Sequence, residues 1–208
     1  PEKRKNVRAL IFTHGHADHI GAFPYVQDRL GNPDVYTAAL TRGIMIKRHS
    51  EFPHLPKPRI HLVKNGDIEK VGNYFTLEFF HMNHSIPDDL AIFISTPVGN
   101  VFFSSDFKID PTPINEAPVG LEEFKTLGEK GVHVLLCDST DSEKPGHSLS
   151  ESQITKDMET IFRDATGMLI VGTFSSMINR IQQLITLSEK YGRKVIFDGY
   201  SLKTNVEI

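Results

Sequence analysis

Four potential metal ligands lie within six residues near the start of the chain, in the segment His14-Gly15-His16-Ala17-Asp18-His19. Alternate residues of extended backbone point to the same side, so His14, His16 and Asp18 can converge. Gly15 lets the chain bend, and His19 can then turn inwards as a helix starts. Imidazole nitrogens and carboxylate oxygens suit zinc or a similar divalent cation. Four ligands exceed what one catalytic metal with an open position needs, so we expect two metals, one on His14 and His16 and one on Asp18 and His19.

Two metals require further ligands, and the sequence offers them where predicted strands end. His84 follows a predicted strand at 74–81, and Asp106 follows a predicted strand at 100–104. A carboxylate at the second position can bridge two metals about 3.5–4 Å apart that share a hydroxide and clamp a phosphoryl group. His81 is the alternative to His84 in this segment. We therefore expect His84 and Asp106 to complete a two-metal site.

Short β-branched or aromatic runs alternate with amphipathic runs of helix length through the first 150 residues. The pattern predicts strands at 7–13, 35–38, 60–63, 74–81, 90–96, 100–104 and 132–137, with helices at 21–30, 39–49 and 121–130. The strand at 132–137 is too apolar to be half exposed, and His133 within it is expected in the core. His49 lies beside a proline-rich loop and is expected on the surface.

The pattern of predicted helices and strands changes after Ser150, which lies at the start of a helix with a capping-box pattern. The prediction there is a helix to about residue 165, a strand at 168–172, a helix at 177–191, a strand at 194–198 and a helix from about 201. Regular βαβ alternation of this kind is expected to give a parallel sheet. We place a domain boundary near Ser150, with one domain at 1–149 and another at 150–208.

The composition is typical of a globular protein, with 39% hydrophobic and 24% charged residues in 208. It excludes collagen, coiled coil and wholesale disorder. No apolar run approaches the roughly 20 residues that span a bilayer, so no membrane partner is expected. A net charge of −3 argues against binding nucleic acid by charge alone. The single Cys137 fits a reducing compartment, and we expect a cytoplasmic protein.

The order of strand, HxHxDH motif, lone histidine and lone aspartate resembles the metallo-β-lactamase superfamily. Five segments are similar to the ribonuclease J family, which are β-CASP members of that superfamily: FTHGHADHIGAFPYV, NHSIPDD, SDFKID, LLCDSTDSEKPGHSLSE and GTFSSMINRIQQLI. This resemblance implies an α/β fold of the α+β sandwich type. A metallo-β-lactamase core would occupy 1–149, and an inserted α/β β-CASP domain would begin in 150–208.

The resemblance also implies a function, namely zinc-dependent hydrolysis of RNA phosphodiester bonds. Members act as 5′→3′ exonucleases with endonuclease activity in mRNA decay and rRNA maturation. Of two Zn²⁺ ions, with Mn²⁺ or Mg²⁺ possible instead, one would bind His14, His16 and His84. The other would bind Asp18 and His19, and Asp106 would bridge them. The catalytic candidates are Asp18, Asp106 and Asp138, and the segment Phe174, Ser175 and Ser176 would contact the nucleotide.

The chain departs from the family pattern at several positions. Glycine is usual where Ser105 stands, an acidic residue is usual at Ala17, and Asn, His and Arg are usual at Met177, Asn179 and Tyr200. The family's last metal-ligand histidine corresponds to a position beyond 208, and its N-terminal hairpins precede Pro1. We therefore expect these 208 residues to have an incomplete second zinc site and little activity. A homodimer or higher homo-oligomer is expected for the full-length protein.

Two other functions are compatible with the metal motif. One is a thioesterase or lactonase on the same fold, because shared folds host many chemistries. Such enzymes are not expected to carry a βαβ insertion after the segment LLCDSTDSEKPGHSLSE. The other is a poorly active structural subunit paired with an active paralogue. Its signature would be lost metal ligands, whereas every ligand expected within this sequence is present.

Overall fold

Two β-sheets form the framework of residues 4–208, the part of the chain that the computed structural model describes; the first three residues of the predicted 1–149 domain lie outside it. The smaller sheet has three parallel strands: β1 (Ala9–Ile11), β2 (Asp34–Thr37) and β3 (Ile60–Leu62). The larger sheet has five strands in chain order: β4 (Ile68–Val71), β5 (Phe75–Met82), β6 (Asp89–Thr96), β7 (Gly99–Phe103) and β8 (Val134–Leu136). Strands β4 to β7 are antiparallel neighbours, and β8 pairs in parallel with β7.

Apolar side chains hold the two sheets face to face. Leu77, Phe79 and Ile92 of the larger sheet are buried in one cluster with Val63, which follows β3, and Ala9 and Ile11 of β1 pack against that cluster. This layer excludes water from the space between the sheets, which is the main source of stability in such a sandwich.

Helices cover both outer faces of the sandwich. The smaller sheet is covered by α1 (Ala17–Ile20), α2 (Phe23–Val26) and α3 (Ala39–His49), through a buried cluster that contains Ile20, Phe23, Val35 and Met45. The larger sheet is covered by α4 (Leu121–Glu129), where Phe124 packs beside Met82, Ala91 and Val119. The layers are therefore helix, sheet, sheet and helix, which confirms the predicted α/β sandwich.

The last 58 residues form three helices: α5 (Glu151–Asp164), α6 (Ile178–Lys190) and α7 (Tyr200–Glu207). The strands predicted at 168–172 and 194–198 are absent from the described residues, so that prediction is wrong for this structure. Their apolar side chains are open to solvent, with Met168, Ile170 and Ile196 exposed by 86%, 87% and 90%. Two isolated segments gain little from pairing, because a sheet normally needs three strands or a packed face. No helix within residues 4–208 is long and apolar enough to cross a bilayer.

A polar cluster joins these helices to the sandwich. Glu151 at the start of α5 accepts hydrogen bonds from Lys108 Nζ at 3.0 Å, from Arg180 Nη2 at 2.9 Å and from Gln183 Nε2 at 3.1 Å. Ser150 caps the same helix by accepting from the backbone N–H of Ser152. The helix α5 is thereby tied to the loop that follows β7 and to α6.

Three predictions of whether a residue is buried are wrong. In each case the position of the element in the fold decides the burial of the side chain. Strand β8 lies at the edge of the larger sheet, and Leu135 is 59% exposed rather than buried. His133 beside it is exposed, and its Nδ1 accepts the Asn100 N–H at 3.0 Å. His49 was expected on the surface, but it is buried at the end of α3 and its Nε2 lies 3.0 Å from Gln27 Oε1.

Candidate metal centre

Side chains that follow three different strands converge on one end of the sandwich. His14 and His16 follow β1, His84 follows β5, and Asp106 follows β7. The metal-binding atoms of these four residues all lie within 4.8 Å of one another. The alternative ligand His81 belongs to neither potential metal group, and its Nε2 instead lies 3.0 Å from the carbonyl oxygen of Ala117.

The distances within this first group fit one divalent cation. His16 Nδ1 lies 3.1 Å from His14 Nε2 and 3.1 Å from His84 Nε2. Asp106 Oδ2 lies 3.7 Å from His84 Nε2 and 4.0 Å from His14 Nε2. Zinc binds imidazole nitrogen at about 2.0–2.1 Å in tetrahedral geometry, which places neighbouring ligand atoms about 3.3 Å apart. The donor set of three imidazoles and one carboxylate is also one that zinc accepts.

A second group lies beside the first and shares one atom with it. His19 Nε2 is 3.4 Å from Asp106 Oδ2 and 3.7 Å from Asp18 Oδ2. Asp18 and His19 belong to the short helix α1, whose first turn faces the cluster. The Asp18 side chain is 79% exposed, so this group opens to solvent. Because Asp106 belongs to both groups and its Oδ2 lies within 4.0 Å of nitrogens of His14, His84 and His19, the geometry suits a carboxylate shared by two cations.

The surroundings keep two of the imidazoles in the form that binds metals. The pKa of His84 is lowered to about 4, chiefly by burial and also by the neighbouring His14 and His16, against the opposing charges of Asp89 and Asp106. Burial, followed by His14, also lowers the pKa of His16. A metal ligand must offer a lone pair rather than a proton. Both rings are therefore neutral at pH 7 and need release no proton when a cation binds.

Hydrogen bonds to the opposite ring nitrogens orient the ligands. His16 Nε2 lies 3.4 Å from the backbone carbonyl of Ser176 and 3.4 Å from Ser85 Oγ. A carbonyl oxygen only accepts, so it favours the tautomer with the proton on Nε2 and the lone pair on Nδ1. The residues predicted to contact the nucleotide therefore reach the metal cluster through the backbone of Ser176.

Asp138 and the segment 174–176 border the cluster without joining either metal group. Burial would raise the pKa of Asp138, but hydrogen bonds from Thr140 and from the Phe107 N–H outweigh it and hold the pKa below its usual value. Its carboxylate is thus ionised beside the loop that carries Asp106.

Phe174 is 77% exposed, and Ser175 is held by its carbonyl, which accepts from Asn205 Nδ2 at 2.7 Å.

Glu116 is a buried group near the site that the sequence did not reveal. Its side chain is 11% exposed, and its Oε1 accepts from Asn179 Nδ2 at 3.1 Å. Asn179 also donates to the backbone carbonyl of His84 at 3.3 Å. Burial raises the pKa of Glu116 to about 7 against the opposing effect of hydrogen bonds from side-chain amides. No local pattern marks this residue, because its burial depends on α6 packing over a loop.

The raised pKa of Glu116 predicts a pH-dependent stability in chelator-treated protein. The folded state holds the proton more tightly than the unfolded chain, whose glutamate titrates near 4.5. The resulting stabilisation is complete below about pH 4.5 and is lost as the pH rises through about 7, a change of roughly 3 kcal/mol at most. Glu116→Gln should remove this pH-dependent component. The free energy of unfolding of the variant, measured in urea, should therefore rise relative to that of the wild type as the pH increases from 5 to 8. The exposed Glu122→Gln is the matched control, and parallel pH profiles for Glu116→Gln and the wild type would contradict the assignment.

Comparison with known proteins gives two family matches. Residues 2–118 match the model of the metallo-beta-lactamase superfamily, and residues 166–208 match that of the ribonuclease J beta-CASP domain. Proteins named Ribonuclease J are similar over nearly the whole chain. The identity is 39% over 206 residues (97% of this chain) for Thermus thermophilus, 39% over 207 residues (99%) for Helicobacter pylori strain J99 and 37% over 207 residues (100%) for Mycolicibacterium smegmatis. The chain spans only 36%, 30% and 37% of the lengths of these curated relatives.

A solved structure supports the fold. A protein of unknown function from Enterococcus faecalis V583 superposes with a TM-score of 0.65 at 18% sequence identity. The superposition covers 96% of this chain and 48% of the other. At this identity the likeness concerns the arrangement of the elements alone.

Proposed function

The chain belongs to the metallo-β-lactamase superfamily, and from this membership we propose that its histidine–aspartate cluster binds two divalent cations and hydrolyses RNA phosphodiester bonds. The observation that carries the proposal is the position of Asp106, which belongs to both potential metal groups and whose Oδ2 lies 3.4 Å from His19 Nε2 and 3.7 Å from His84 Nε2. The match of residues 166–208 to the ribonuclease J beta-CASP domain supports RNA as the substrate. Thioesterases and lactonases on this fold would not account for that second match.

Each proposed ligand has a position that suits its role. His14, His16 and His84 would hold one cation, and Asp18 and His19 would hold the other, with Asp106 between them. We propose zinc first, because three imidazoles with a carboxylate are a common zinc donor set, and Mn²⁺ or Mg²⁺ as substitutes. Two bound cations would supply positive charge against the phosphate and lower the pKa of a water molecule between them.

The remaining chemistry falls to carboxylates of this chain. Asp138 is ionised and borders the cluster, so its oxygens can accept a proton or orient an attacking water molecule. Asp18 is open to solvent beside His19 and can pass a proton to bulk water. The leaving oxygen of a phosphodiester must gain a proton. Either carboxylate can deliver one only after taking it from the attacking water molecule, and these two residues are our candidates for that transfer.

We propose that the segment 174–176 binds the nucleotide next to the scissile phosphate. The Phe174 ring is exposed, while Ser176 contacts His16 through its carbonyl, so a base on the ring would lie close to the cluster. Stacking of a base on an aromatic side chain contributes about 1–3 kcal/mol. Cation charge and stacking together explain how a chain with a net charge of −3 can bind RNA.

Phe174→Ala should therefore weaken binding of single-stranded RNA by roughly 5- to 150-fold, the loss that 1–3 kcal/mol implies. Fluorescence anisotropy with a labelled oligoribonucleotide in Ca²⁺, which slows hydrolysis, measures the change. Tyr74→Ala is the matched control. Tyr74 is also an exposed aromatic residue (66%), but it directly precedes β5, whereas His84 follows the other end of that strand. Equal affinities of the Phe174 and Tyr74 variants would contradict the proposed stacking.

The resemblance to the ribonuclease J family extends the proposal to 5′→3′ exonuclease and endonuclease activity in mRNA decay and rRNA maturation. A cytoplasmic location and a homo-oligomeric state stay predictions from the sequence. The test is an assay of the full gene product that carries these residues, with Zn²⁺ or Mn²⁺, against 5′-monophosphorylated RNA, a thioester and a lactone. Hydrolysis of RNA alone supports the proposal, whereas turnover of only the thioester or lactone would overturn it.

A further inference from the structure

A fully buried carboxylate lies behind one of the proposed metal ligands. Asp89 at the start of β6 has no exposed surface, and its Oδ2 lies 3.5 Å from Nδ1 of His14. Its Oδ1 accepts a hydrogen bond of 2.6 Å from the Ser105 hydroxyl. Its Oδ2 has no hydrogen-bond partner among the residues that the structure describes. Within residues 4–208, His14 is the one basic side chain within 4.0 Å of this carboxylate.

A carboxylate buried this deeply is costly as an ion unless it is paired or coordinated. No lysine or arginine of residues 4–208 lies within ion-pair distance of it. The opposite nitrogen of His14, Nε2, is the atom that faces His16 and the first metal group. A cation bound there would place positive charge on the far side of one imidazole ring from Asp89.

The hydrogen bonds also decide which His14 nitrogen carries the proton. The Ser105 hydroxyl donates its single proton to Asp89 Oδ1. The Ser105 oxygen, 3.3 Å from His14 Nδ1, is then left as an acceptor for that nitrogen. Thr13 Oγ1 lies 3.1 Å from the same nitrogen and can also accept. His14 therefore carries its proton on Nδ1 and directs the lone pair of Nε2 at the metal group.

We propose that Asp89 is a positioning residue that, through Ser105, fixes the tautomer and orientation of His14 and so sets the affinity of the first metal. This inference rests on the proposed metal centre and deepens it by naming a group that acts on a ligand rather than on the metal. Removing a group that orients a metal-bound histidine from outside the ligand set commonly changes metal affinity by about 10- to 100-fold.

Asp89→Asn in the full gene product should weaken Zn²⁺ binding by about 10- to 100-fold in competition with a chromophoric chelator. Ser105→Gly is a second variant that removes the relay hydroxyl, and glycine suits the positive φ of 60° at this position. It should weaken binding in the same direction, and it keeps the test open if Asp89→Asn does not fold. Asp88→Asn is the matched control, because the neighbouring carboxylate accepts from the Leu40 N–H rather than lying against His14.

Thermal unfolding with and without Zn²⁺ separates positioning from a merely structural role. Positioning predicts that metal-free Asp89→Asn is at least as stable as the wild type, because a neutral amide replaces a fully buried carboxylate whose Oδ2 has no hydrogen-bond partner among the described residues. It also predicts that Zn²⁺ stabilises the variant less. Unchanged Zn²⁺ affinity in folded Asp89→Asn, or an equal loss in Asp88→Asn, would overturn this inference alone. A wild-type protein without Zn²⁺ affinity would overturn the metal centre and this inference with it.

Discussion

Replacing Asp106 with asparagine is expected to slow RNA hydrolysis by the full gene product by at least about 1,000-fold. The Oδ2 atom of Asp106 lies 3.4 Å from His19 Nε2 and 3.7 Å from His84 Nε2, so one oxygen serves both metal groups. A neutral amide oxygen is a poorer ligand than a carboxylate and does not balance the charge of two cations. Metal ions contribute several kcal/mol to transition-state stabilisation, and about 4 kcal/mol corresponds to this factor.

Steady-state cleavage of a 5′-labelled RNA under saturating Zn²⁺ or Mn²⁺ measures the effect of Asp106→Asn. Asp110→Asn is the matched control. Asp110 is another aspartate after β7, and it is buried, but it accepts from the Thr112 and Glu151 backbone N–H groups and lies outside both metal groups. Activity within tenfold of the wild type for Asp106→Asn would show that the shared oxygen is not required.

Removal of the divalent metal is expected to have the second large effect. It should lower both the activity and the stability of the protein. Chelation should abolish RNA hydrolysis, and adding back Zn²⁺ or Mn²⁺ should restore it. A metal held at 100 times its dissociation constant stabilises the fold by about 2.7 kcal/mol. In a domain of this size that corresponds to a fall of roughly 5–10 °C in the unfolding temperature when the metal is removed.

Differential scanning calorimetry of metal-free and reloaded protein, beside the cleavage assay, measures both changes. A His14→Ala variant should show little stabilisation by Zn²⁺, since it lacks a ligand of the first group. Hydrolysis that persists in excess chelator after dialysis would contradict a metal-dependent mechanism. An unfolding temperature insensitive to Zn²⁺ would contradict the proposed ligation.

Much of the site could be predicted because its ligands follow strands whose apolar pattern is clear. His84 and Asp106 come shortly after strands predicted at 74–81 and 100–104, and the structure brings both beside the HxHxDH segment. The end of a strand is a strong positional signal, since the chain leaves the sheet there and side chains project from its edge. The spacing within His14–His19 needs no tertiary information at all.

Other features depend on contacts that local sequence does not encode. Leu135 has the apolar surroundings of a core strand, but β8 pairs only with β7 and lies at the sheet edge. The runs at 168–172 and 194–198 have strand composition without strand partners among the described residues. Asp89 and Glu116 are buried by segments distant in sequence. One sequence signal does mark Asp89, since it directly precedes the buried run Leu90–Phe93. An aspartate at the start of a core strand is rarely buried unless it has a partner.

The proposed mechanism requires two cations that share one oxygen of Asp106. An anomalous-difference map of the Zn²⁺-loaded gene product, collected at the zinc absorption edge, tests it most directly. We expect two peaks about 3.5–4 Å apart with the Asp106 carboxylate between them. One peak should lie among His14, His16 and His84 and the other beside Asp18 and His19. A single peak, or two peaks that do not share Asp106, would contradict it.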